Sequence, residues 1–153
     1  MNENSQSLSC VMIPVSDRQL LLPNVSIAEV VDLNSTSADT NTPDWLVGFI
    51  EWRGLNLPVI SYDVANGGNL VMPGANRGRI IVINTIGPKH EQLPFMALVT
   101  QGIPSQNHLT EEQIRELEGQ PGPADLMQVE VDGEAAWIPN LEYLESLAAE
   151  ARH

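Results

Sequence analysis

At 153 residues, with 42% hydrophobic and 18% charged side chains, the chain can fold around one substantial core or as two small intertwined lobes. Twenty acidic against seven basic residues leave a formal net charge of -13, which repels nucleic-acid phosphates and anionic lipid headgroups. The single Cys10 excludes an internal disulfide or a zinc cluster, and the polar start and the lack of roughly 20 successive apolar residues point to a cytoplasmic protein without leader or membrane span.

Aromatic residues are scarce at 5%, so the core rests on Val, Ile and Leu, which favour strands. Residues 1–7 form a polar, disordered tail, and residues 8–153 are expected to form a single domain. In residues 8–15, Leu8, Cys10 and Met12 face one way while Val11, Ile13 and Val15 face the other, the pattern of an interior strand ending at Pro14. After a turn at Ser16-Asp17-Arg18, a second strand over 19–22 is interrupted at Pro23-Asn24, and a third follows over 25–31. Residues 34–43, rich in Ser, Thr, Asn and Asp, form a surface loop.

Two apolar runs, 45–49 and 57–60, flank a tight turn at Arg53-Gly54. A lone cation between Trp52 and Gly54, at the corner of a hairpin in an acidic protein, marks a binding surface rather than a catalytic pocket. Residues 66–76, with Gly67, Gly68 and Gly74, form a second flexible loop. Residues 79–84 are the clearest buried strand, and the turn at 87–90 leads back into a strand over 95–100. Two helices are expected. One follows Thr110, which with Gln113 makes a capping box, is stapled by Leu109 and Ile114, and ends at Gly119. The other follows Asn140 and docks through Leu141, Leu144, Leu147 and Ala151. Between them, residues 127–131 and 134–138 pair across Asp132-Gly133. The sum is about eight to ten short strands, an all-β barrel or sandwich pattern.

Chemistry is sparse. His90, His108 and His153 have no second ligand at helical spacing, so no metal site and no cofactor is expected. Glu111-Glu112 and the pair Glu116 and Glu118 belong to the water-facing side of the short helix. Cys10 lies in an apolar strand as an inert thiol. There is no nucleophile elbow, and Gly67-Gly68 lacks the Lys-Ser/Thr of a phosphate loop. No enzymatic activity is expected. Two competing functions remain at this point: a small β-barrel hydrolase using Asp63 or His108, and an oligonucleotide-binding barrel, which the charge opposes.

The order of elements and the hairpin Gly48-Phe49-Ile50-Glu51-Trp52-Arg53-Gly54-Leu55-Asn56-Leu57-Pro58-Val59-Ile60 resemble the CheW-like domain of bacterial chemosensory adaptors. Residues 79–84, 96–101 and 129–143 match further parts of that pattern, so the resemblance spans about residues 8–148. It implies two intertwined five-stranded β-barrel lobes with a C-terminal helix and no catalysis. The implied partners are a methyl-accepting chemoreceptor and the regulatory domain of a CheA-type histidine kinase, with no nucleic acid and no membrane insertion. Carried over residue by residue, the resemblance makes Glu29, Gly48, Arg53 and Gly54 the protein-binding positions. Glu51-Trp52 stands where the family usually has Asn-Leu, Ser61-Tyr62-Asp63 replaces the usual run after the proline, and Thr100 stands near a common Asp. With these departures the chain is similar to the divergent adaptors of pilus-type clusters, which govern twitching motility through type IV pili.

Overall fold

Burial of successive residues, and so of both faces, in the central strands organises the chain. The computed structural model describes residues 7–33, 43–71, 73, 77–87, 91 and 93–151. The calls on residues 1–6, on the loop at 34–42, and on Gly74, His90 and His153 therefore lie outside the described residues. The strands in order are β1 (Ser7–Pro14), β2 (Gln19–Pro23), β3 (Ile27–Asp32), β4 (Leu46–Trp52), β5 (Leu55–Ile60), β6 (Arg79–Asn84), β7 (Phe95–Thr100), β8 (Ser105–Thr110), β9 (Ile114–Leu117), β10 (Asp125–Val131) and β11 (Glu134–Pro139). A one-turn helix α1 (Tyr62–Ala65) follows β5, and α2 (Leu141–Ala151) follows β11.

Among the described residues these strands form two sheets, ordered β8-β1-β2-β11-β10-β9 and β3-β6-β7-β5-β4. The chain starts in the first sheet, builds the whole of the second, then returns to complete the first. The protein is thus all-β with one C-terminal helix, and its two lobes are intertwined by connectivity. Where two five-stranded lobes were expected, the first sheet has six strands.

The extra strand comes from a segment read as helix. Its capping box exists, with Thr110 N–H donating to Gln113 Oε1 at 2.8 Å, but the helical turn covers only Glu111–Gln113. Ile114 then pairs opposite Val131, and Arg115 opposite Glu130, as an edge strand on β10. After Gln113 too few apolar positions recur at helical spacing to repay a helix, whereas β10 offers a full row of backbone partners; tertiary pairing overrides the local signal. Gly119 is no helix cap; it packs against Gln128 and Trp137. The polar edge strand β8 and the short α1, capped by Ser61 accepting from the Val64 amide, were not foreseen. Val25 belongs to a 3-10 turn before β3 rather than to the strand.

Both sheets curl. β8 and β9, the edges of the first sheet, are joined by three residues, which span at most about 14 Å. In the second sheet, β3 and β4 are the edges, and they meet through the Trp52 indole N–H, which donates to Glu29 Oε1 at 3.0 Å. Alternation then yields three cores. Val11, Ile13, Leu20, Ile81, Ile83 and Leu98 fill the space between the sheets, where Leu141, Leu144 and Leu147 of α2 also pack. Ile50, Trp52, Val59, Ile80 and Val82 line the inside of the second sheet, while Cys10, Met12, Leu21 and Val129 line the first. Each fully buried Ile or Leu contributes about 1.5–3 kcal/mol, which is why a chain so poor in aromatics holds together.

A polar node locks the lobes to one another. The Asp125 carboxylate on β10 accepts from Arg18 Nη1 (3.1 Å), Asn66 Nδ2 (3.1 Å), the Gly122 amide (2.9 Å) and the Tyr62 hydroxyl. Arg18 belongs to the first lobe, Tyr62 and Asn66 to the second. The guanidinium also lies 4.7 Å above the Trp137 ring. Asn66, expected in a flexible loop, is fixed here.

Candidate functional site

The corner of the β4–β5 hairpin has the two-residue loop foreseen for it. Trp52 pairs with Leu55, leaving Arg53 and Gly54 at φ +50° and +79°, the left-handed pair of a type I′ turn. Nothing lies within 4 Å of where a Gly54 side chain would start, so glycine serves backbone conformation there, not space. The turn type sets the Arg53 backbone, and Asp132 holds the same conformation, φ +49°, in the β10–β11 hairpin.

The Arg53 side chain folds back rather than trailing into water. Its Cζ sits 4.5 Å from the Trp52 ring centroid, and Nη2 lies 3.5 Å from Glu29 Oε1. That same carboxylate oxygen accepts from the Trp52 indole. Trp52 is itself buried and meets Phe95 edge to face, with centroids 4.8 Å apart. An exposed ion pair adds about 0.2–1 kcal/mol and a surface cation–π contact about 0.5–1 kcal/mol, enough to orient the guanidinium but not to seal it. The Arg53 side chain remains 70% exposed and that of Glu29 45% exposed. The corner therefore presents an aimed set of N–H donors beside an acceptor.

Three of the four positions named from the resemblance, Glu29, Arg53 and Gly54, converge at this corner. Gly48 does not; it is buried in β4 opposite Val59, beside a register irregularity between Leu46 and Gly48. Phe95 and the node of Arg18, Tyr62, Asn66 and Asp125 escaped the sequence reading. No local signal reveals that node, because Arg18 and Asp125 are 107 residues apart.

A polar cleft of about 370 Å³ lies over the lobe junction, lined by Ser16, Asp17, Arg18, Asp63 and Asn69 among others. Burial pushes the Asp63 carboxyl above its ordinary value; the Ser16 amide, donating at 3.3 Å, pulls against this, while Asp17 adds to it and Arg18 opposes it. A hydrolase would need a base or nucleophile beside this carboxyl. His108 instead pairs with Ser9 at the far end of β1, its Nδ1 3.1 Å from the hydroxyl. Cys10 is buried, and desolvation raises its thiol, which keeps it protonated and unreactive. Among the described residues, Arg18, Arg53, Arg79 and Arg115 are each matched by a carboxylate, of Asp125, Glu29, Asp32 and Glu130, which opposes a cationic track for nucleic acid. Among the described residues no helix is long and apolar enough to cross a membrane, and no three His, Cys, Asp or Glu side chains cluster as metal ligands would.

Comparison with known proteins gives a consistent result. Residues 9–147 match the family model described as the CheW-like domain. Among solved structures, the crystal structure of the scaffolding protein TtCheW from Thermoanaerobacter tengcongensis superposes with a TM-score of 0.75 at 18% sequence identity, over 94% of this chain and 91% of that one. No curated protein matches.

Proposed function

The chain belongs to the CheW-like domain family, and on that premise we propose that it is a non-enzymatic adaptor of chemosensory signalling, coupling a chemoreceptor to the regulatory domain of a CheA-type histidine kinase in the cytoplasm. The observation that carries the reading is the Arg53 corner: an oriented and largely exposed guanidinium at a hairpin turn, with Glu29 beside it. Glu29, Arg53 and Gly54 contact the partner. Gly48 acts from beneath, by letting the hairpin keep its irregular register.

The mechanism requires no bond-making. Apolar surface around the corner supplies the drive for association at roughly 25 cal/mol per Å², and the Glu29–Arg53 pair selects the partner and speeds encounter. Individual junctions are weak, and repeated junctions between receptor, adaptor and kinase supply avidity. The corner also supports a place among pilus-type adaptors. Trp52 stands where chemotaxis members usually carry Leu, and its indole N–H is what fixes Glu29. A leucine there offers no such donor, so the corner is suited to a different partner.

The test is Arg53→Glu. Reversal places two carboxylates side by side and removes the donors. Capture of the purified receptor cytoplasmic domain, of the purified kinase regulatory domain, or of both is expected to fall at least about tenfold, a loss typical of a central arginine. The circular dichroism spectrum should be unchanged. Wild-type affinity of the variant for both partners would end the reading.

A further inference from the structure

Asn66 is followed by Gly67, and no other asparagine of the chain precedes a glycine. Such a dipeptide can modify itself. The glycine backbone nitrogen attacks Cγ of the asparagine side chain and a C–N bond forms. Its amide proton passes through solvent to the side-chain nitrogen, which leaves as ammonia. Water then opens the five-membered imide at either carbonyl, giving isoaspartate or aspartate. Glycine favours the attack because it has no Cβ to block the approach to its nitrogen. Asn66 is half-buried and Gly67 exposed, so water reaches this peptide bond.

In the closed molecule both reacting groups are occupied. The Gly67 N–H donates to the Val64 carbonyl at 2.9 Å, which holds the proton that attack must release. The Asn66 side chain reaches across to the other lobe. Its Nδ2 donates to Asp125 Oδ2 at 3.1 Å, and its Oδ1 accepts from the Ala124 amide at 2.9 Å. Attack makes Cγ tetrahedral and swings both atoms out of their plane, which these two bonds resist. A side chain on Gly122 would collide with the same amide, so the space around it is closed as well. Every restraint on the asparagine side chain thus comes from the turn at residues 122–125, which leads into β10 of the first lobe, while the attacking glycine belongs to the second. The restraints fail together when the lobes part.

We propose that Asn66-Gly67 is a self-modification site gated by the lobe junction. With the lobes closed the asparagine persists; each parting exposes it to its own glycine, and the product does not latch as before. Either acid removes the N–H that Asp125 accepts and sets a second carboxylate against the first. Isoaspartate also lengthens the backbone by a methylene at the end of α1. The substrate is the chain's own amide and the co-reactant is water, so the inference stands independently of the Arg53 corner and of any partner.

The experiment holds the full chain in mildly alkaline buffer, folded and in urea. Peptide mapping by mass spectrometry follows Asn66, and enzymatic methylation counts isoaspartate, which marks the imide route. Folded protein should convert at least about tenfold more slowly than unfolded, since only the open fraction reacts. Asn69, followed by Leu70, is the internal reference and should convert far more slowly than Asn66 in urea. Asp125→Ala removes the acceptor and should speed conversion of the folded chain by about threefold or more. Should it fail to fold, Gly122→Ala dislodges the same amide from the facing turn and carries the same expectation. Asn66→Asp, one of the two products, should melt about 4 °C or more below wild type. Conversion as fast in the folded chain as in urea, or faster with Ala124 serving as an oxyanion donor, overturns the inference. So do conversion without isoaspartate, persistence of Asn66 in urea, no acceleration in the loosened variants, and wild-type melting of Asn66→Asp.

Discussion

Truncating Asp125 to alanine is expected to destabilise the protein by about 3–5 kcal/mol, the cost of breaking a buried ion pair by removing one partner. The size follows from what remains. Asp125 is 1% exposed and its partner Arg18 24% exposed at the side chain, so the guanidinium keeps only partial access to water. Arg18 retains Asp17 at 3.2 Å and the face of Trp137, which soften its loss. The Tyr62 hydroxyl, the Asn66 amide and the Gly122 N–H lose their common acceptor together, and an unsatisfied buried donor costs about 1–3 kcal/mol. For a chain of this length each kcal/mol moves the melting temperature by about 2–4 °C, giving a fall of about 6–20 °C. Urea unfolding followed by tryptophan fluorescence gives the free energy directly, with Trp137 reporting from beneath Arg18. In a double-mutant cycle with Arg18→Met, the pair should show a coupling of about 1–3 kcal/mol. A loss below about 1 kcal/mol for Asp125→Ala, or no coupling, would refute the view that this node fastens the lobes together.

Other substitutions separate binding from stability. Arg53→Gly relieves a left-handed arginine while losing its exposed contacts, so the melting temperature should stay within a few degrees of wild type as partner binding disappears. Gly54→Ala should lower stability by about 1 kcal/mol through φ alone, read from the same urea titration. For Asp63 the folded-state carboxyl is raised above its unfolded value by burial, so its ionised form opposes folding at neutral pH. Asp63→Asn should therefore raise the urea midpoint at pH 7. That gain should vanish as pH falls below the ordinary carboxylate range, where Asp63 is neutral in both states; a gain independent of pH would show that ionisation is not its source.

Much of the framework was legible because the relevant forces are local. The run Ile80-Ile81-Val82-Ile83 has no polar face, so it had to be a strand covered on both sides, and it divides its side chains between two cores. Arg53-Gly54 and Asp132-Gly133 announced tight hairpin turns, and both are two-residue turns with φ positive at each position, the type I′ form. Asn140 accepts from the Tyr143 amide and starts α2 as expected. The stretch from Leu109 to Gly119 misled because its capping box is real yet buys a single turn; only the waiting edge of β10 made a strand the better state.

The hairpin corner and the two-faced burial of strands such as residues 79–84 were thus written in neighbouring residues, where side-chain period and turn conformation act over a few positions. What the chain alone could not show was who meets whom across it. Glu29 reaching Trp52 and Arg53, Arg18 reaching Asp125, and Glu145 reaching the Ile86 and Gly87 amides are pairings between remote segments. Each polar group could have been satisfied by water or by many other donors, and only the curling of two sheets around shared apolar cores brought these particular ones within bonding distance.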